Sequence, residues 1–97
     1  MLKRWRGPAL ALAVLQAAPA VAADAPAGAL ACTGCHTMSR TLDTTMPRLA
    51  GRPAADVAAA LRDFRAGRRP ATVMGRIAKG FSDPEIAAIA AWFEAER

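Results

Sequence analysis

The segment Cys32-Thr33-Gly34-Cys35-His36 places two thiols three positions apart, with an imidazole directly after the second. This is the spacing of a c-type haem attachment site. Each thiol can add across one porphyrin vinyl group to give a thioether. The short loop between them then holds the adjoining imidazole beneath the iron as its proximal ligand. Cys32 and Cys35 are the only cysteines and His36 the only histidine in the chain, so nothing of either type is left for another site.

Other readings of the motif fit less well. A thioredoxin-like dithiol needs a βαβ setting, and the sequence has no strand-like alternation. A structural zinc site takes four Cys or His ligands, whereas three are present and nearly contiguous. A simple local disulfide is the plain alternative.

A haem held by one histidine needs a donor for its sixth position, and with no second histidine a methionine thioether is the natural one; it favours ferrous iron and raises the potential. Met38 lies too close to His36 for the chain to pass around the porphyrin, given a reach of about 3.5 Å per residue. Met46 adjoins Pro47, which places it with the proximal side. Met74 follows a full amphipathic helix able to carry the chain around the haem edge. It is the preferred ligand, against the plain role of any methionine as core filler.

The elements that must position these groups are helical. A short helix is expected from about Ala27 into Cys35, with Gly28 and Leu30 on its inner side. Met38 to Gly51 reads as an irregular loop, with Ser, Thr and Asp clustered and Pro47 and Gly51 as punctuation. Pro53 then opens a helix in which Val57, Leu61 and Phe64 recur at i, i+4 and i+7, and Gly67 ends it. Ala71 to Lys79 is expected as a loop, with Met74 in it, leading to a brief helical turn ended by Gly80. Ser82 to Glu85 reads as a capping box, with Pro84 in the first turn and Ile86, Ile89, Ala90 and Phe93 as one apolar stripe. There is no internal repeat.

The N-terminus reads as an export signal. Lys3, Arg4 and Arg6 precede an apolar run from Pro8 to Val21, and Ala20-Val21-Ala22 offers small residues for a signal peptidase. Residues 1–22 are therefore expected to be removed, leaving 23–97 as one domain; an uncleaved anchor is the alternative, although the run is short and alanine-rich for a span of about 20 apolar residues. Three of the thirteen Lys and Arg lie in that leader, so ten basic residues face eight acidic ones in the remainder. A net of +2, with no aromatic-studded basic stretch, gives no footing for nucleic-acid binding. Large apolar residues are also few there, with three Phe in the whole chain. A chain this small needs further core, and a buried porphyrin would supply it.

The stretch Arg69-Pro70-Ala71-Thr72-Val73-Met74-Gly75-Arg76-Ile77-Ala78-Lys79-Gly80-Phe81-Ser82-Asp83 resembles the cytochrome subunit of flavocytochrome c sulfide dehydrogenases, and residues from about Ala29 to Phe93 resemble small monohaem class I cytochromes c. The resemblance implies an all-α class I cytochrome c fold, with about three main helices around one covalent haem c. It also implies an axial methionine before the last helix, matched by Met74. The family's Pro-x-Leu-Ala-Gly segment is matched by Pro47-Arg48-Leu49-Ala50-Gly51, so Pro47 inherits a carbonyl that accepts a hydrogen bond from the proximal ring; a turn proline is the plain alternative. Haem attachment outside the inner membrane implies a periplasmic location. Thr37-Met38 stands where a Gly usually follows the motif, and Trp92 where a tyrosine is common.

The function implied is one-electron transfer rather than catalysis: with both axial positions taken by His36 and Met74, no position is open for substrate. The partner implied is a flavoprotein (FAD) subunit that oxidises sulfide. Arg62, Arg65, Arg68, Arg69, Arg76 and Lys79 flank the distal segment and could steer an acidic partner or simply be solvated. A free soluble cytochrome feeding a terminal oxidase or other respiratory partner is the second reading. A haem peroxidase, which would need a vacant position and a distal acid or base, is a distant third.

Overall fold

The computed structural model describes residues 2–4, 7–9, 11–15 and 24–96. Within them lie four helical segments and no strand: α1 (Ala29–Cys32), α2 (Ala54–Arg65), α3 (Met74–Ala78) and α4 (Asp83–Ala95). The all-α class expected from the sequence is the one observed. The leader expected over 1–22 falls partly outside the described residues, and its cleavage site at Ala20-Val21-Ala22 lies wholly outside them. Among the described residues, no helix is long and apolar enough to cross a membrane.

The two long helices form where the sequence signals are strongest. Ser82 Oγ accepts from the Glu85 backbone N–H while Glu85 Oε1 accepts from the Ser82 N–H at 3.0 Å, so the capping box at the start of α4 is closed on both sides. Each such cap is worth about 1 kcal/mol. Ile86, Ile89, Ala90 and Phe93 are all buried, against Val57, Ala58 and Leu61 of α2. Burying each large aliphatic or aromatic side chain contributes about 1.5–3 kcal/mol. Trp92 meets Phe93 edge to face, with ring centroids 4.9 Å apart.

The short segments depart from the sequence expectations. α1 has four residues and covers only part of the 27–35 range. Beyond it the chain tightens into turns, with Cys35 N–H to Cys32 O at 3.2 Å and His36 N–H to Cys32 O at 2.8 Å. Ala29, not Leu30, is the inward residue: Ala29 is fully buried and Leu30 is 67% exposed. A single turn against α4 has room for one small side chain, so the larger neighbour is directed outward. Gly28 does sit inside, because a Cβ there would lie 2.4 Å from Phe81 Cε1 and its φ is 87°. Met74 is the first residue of α3 rather than a loop residue.

The segment 37–53 carries no helix or strand, as expected, but its end is pinned. Gly51 N–H donates to Phe93 O at 2.8 Å, and Arg52 N–H to Leu49 O at 3.1 Å. Gly51 makes this turn with φ 78°, where a side chain would be strained. Pro47 is thereby tied through four residues to the C-terminal end of α4.

Candidate haem site

α1 packs on α4 and α3 packs on α2, whereas α1 and α3 do not touch one another. Between them lies a cavity of about 630 Å³. Cys32, Cys35 and His36 enter it from the end of α1, Met74 and Ile77 from α3, and Val57, Leu61 and Phe64 from α2. Pro47 and Phe81 also line it. All five residues singled out in the sequence (Cys32, Cys35, His36, Pro47 and Met74) are thus gathered around one space.

His36 is 8% exposed. Its Nδ1 lies 2.6 Å from the carbonyl oxygen of Pro47. A carbonyl can only accept, so Nδ1–H is the donor and the lone pair is placed on Nε2, as a metal-ligating imidazole requires. The two thiols form no disulfide. Cys32 is half-buried and its Sγ–H donates to Gly28 O at 3.4 Å. Desolvation pushes its pKa up from the ordinary value of 9.0, which keeps it a thiol.

The three candidate methionines separate by position. Met74 is half-buried at the cavity wall. Met46 lines the same cavity but is 48% exposed. Met38 packs against the core cluster instead. Sequence reasoning therefore missed that Met46 shares the space with Met74. It also missed Arg52 and Asp56 in the lining, where Arg69, expected only as a flank of the distal segment, stands as well. Arg69 stacks over the Phe64 ring, 4.9 Å from its centroid, and Arg52 Nε donates to Arg48 O at 2.8 Å. The nearby Arg48 Nε is buried with no acceptor among the described residues.

A porphyrin fits what these residues offer. Protein interiors pack like organic crystals, and an apolar void of this size in so small a domain calls for an occupant; ligand cavities commonly span about 300–1,000 Å³. The donor set at its wall is two thiols, one imidazole with an oriented lone pair, and a thioether. Among the described residues no cluster of three or more His, Cys, Asp or Glu could hold a metal ion by itself.

An all-α chain built around such a cavity is consistent with a cytochrome c fold. In sequence, it is similar to the cytochrome subunit of sulfide dehydrogenase from Chlorobaculum tepidum, with 41% identity over 64 residues. The match covers 66% of this chain and 58% of the relative, so the chain spans somewhat over half the length of the protein it matches. The resemblance read from residues 69–83 is borne out by this relationship. No family model matches the chain.

Proposed function

We propose that this protein is a periplasmic one-electron carrier with a single covalent haem c, and that it serves as the cytochrome subunit of a sulfide-oxidising flavoprotein. The observation that carries the cofactor reading is the 2.6 Å bond from His36 Nδ1–H to the Pro47 carbonyl at the mouth of a cavity that Met74 lines from a separate element. When bound, the haem supplies a ferric/ferrous couple. Cys32 and Cys35 would hold it as thioethers, and His36 presents Nε2 in a tautomer that the Pro47 carbonyl selects. Met74 provides a soft donor that favours the reduced state. With His36 and Met74 as its ligands, a bound haem would leave no place for a substrate to coordinate. Arg52 and Arg69 provide cations for the two propionate carboxylates.

The partner reading is supported by the similarity to a protein named as a subunit of sulfide dehydrogenase. A flavin that takes two electrons from sulfide needs a one-electron outlet, and a haem held on an exposed cavity edge is such an outlet. Val73 and Ile77 line that edge and are exposed, and Arg76 and Lys79, beside them in sequence, could steer an acidic partner. Export is supported by the basic start, the apolar run and the Ala20-Val21-Ala22 site.

The test is expression with its full leader in a host that attaches haem c. Protein recovered from the periplasm should retain its haem through acid-acetone extraction and begin at residue 23. Haem that washes out sinks the covalent reading. Isolation from the native organism without a flavin-containing partner, with a respiratory acceptor in its place, would favour the free-carrier alternative.

A further inference from the structure

Arg65 ends α2, and its guanidinium reaches across to the junction of α3 and α4. Nη1 donates to Phe81 O at 3.1 Å, and Nη2 donates to Asp83 Oδ1. These partners lie 16 and 18 residues further along the chain. The two contacts therefore close the segment 66–80, which carries Met74, into a loop held at its neck. Phe81 is the residue that touches Gly28 at the other wall of the cavity. The neck thus sets both where the Met74 segment ends and how it meets the α1 side.

We propose that Arg65 is a positioning residue for Met74, a two-armed clamp between the end of α2 and the Phe81–Asp83 junction that holds the thioether at the iron. This rests on the reading of Met74 as the axial ligand. Charge-assisted, bidentate contacts from a single planar guanidinium lose little entropy for each bond made. Closing the loop also removes alternatives in which Met74 swings out. The neighbouring Arg68–Asp63 pair, at 2.9 Å, has the same chemistry but spans only five residues, tying the first residues after α2 back to that helix without reaching the neck at Phe81 and Asp83.

The experiment titrates ferric holoprotein with imidazole, which binds iron only in molecules whose Met74 has moved away. Its apparent affinity therefore scales with that fraction. Arg65→Met should raise the affinity about tenfold and lower the reduction potential, whereas Arg68→Met should leave both as in the parent. Asp83→Asn keeps an acceptor but removes the carboxylate charge that faces Arg65 and, at 3.9 Å, Arg62, weakening one arm at an exposed site, and should raise the affinity about threefold. Equal behaviour of Arg65→Met and Arg68→Met would overturn the clamp. If Arg65→Met does not fold, parental affinity in Asp83→Asn would overturn it instead. Met74→Ala separates the two readings: raised imidazole affinity there upholds the ligand whatever the clamp does, and unchanged affinity removes the ligand reading and the clamp with it.

Discussion

His36 and Pro47 stand eleven residues apart in sequence and 2.6 Å apart in space, imidazole Nδ1 to carbonyl oxygen. The bond does more than orient a ring. Pro47 lies four residues before the turn at Gly51, whose N–H donates to Phe93 O of α4, so α4 anchors the segment that carries the Pro47 carbonyl.

Gly51→Ala should cost about 1–2 kcal/mol, the usual penalty of a left-handed conformation for an L-residue, since φ there is 78° and a Cβ would meet Glu96 O at 3.6 Å without a clash. Denaturant unfolding of the holoprotein measures it. A neutral substitution would mean that the turn can relax without α4. Gly28→Ala should be worse, because the added Cβ would collide with the Phe81 ring.

Met74→Ala should remove the weak sulfur-to-iron charge-transfer band at the red end of the ferric spectrum and lower the potential. Met38→Ala and Met46→Ala should keep the band. Met46 is the demanding control, as it lines the same cavity. Loss of the band in Met46→Ala would reassign the ligand.

Without haem the core has a hole of about 630 Å³ and few large side chains to close it. A Cys32→Ala/Cys35→Ala protein should show weak helical circular dichroism and no cooperative melt. A sharp thermal transition in that variant would show that α2 and α4 form a sufficient core on their own.

Acid should loosen the start of α4. The Arg65 hydrogen bond, with the charge of Arg65 and Arg62 behind it, holds the Asp83 pKa below its ordinary value of 3.8. The Ser82 backbone N–H, followed by its hydroxyl, does the same for Glu85 against 4.5. Both pKa values are lowered on folding, so the stability they add is complete above those ordinary values and lost as pH falls through the depressed ones. Unfolding midpoints followed from about pH 6 to about pH 3 should fall less in Asp83→Asn and Glu85→Gln than in the parent. An undiminished acid slope in both variants would place the sensitivity elsewhere.

The two long helices were legible because each carries a local signal. Val57, Leu61 and Phe64 keep helical period, and Ser82 with Glu85 writes its cap in four residues. The grouping of Cys32, Cys35 and His36 at one cavity wall was legible for the same reason. Leu30 was misplaced because one turn of helix is too short for periodicity to define a face. Met74 was expected in a loop because Pro70 and Gly75 read as breakers, yet Gly75 is tolerated inside α3, where a Cβ would meet nothing nearer than Phe64 O at 3.6 Å. The reach of Arg65 to Phe81 and Asp83 left no trace in any window of sequence, since it joins elements that only the tertiary fold brings together. Pro47 as the partner of His36 was legible only through resemblance.

That α1 and α3 never touch bears on how such a protein can be made. Both thiols and the imidazole lie within five consecutive residues, so a haem-attaching apparatus can recognise and modify them on a chain still threaded and shapeless. The opposite wall has no part in that chemistry. If haem is tethered at Cys32 and Cys35 as proposed, that wall could close later, and maturation would then precede folding rather than follow it.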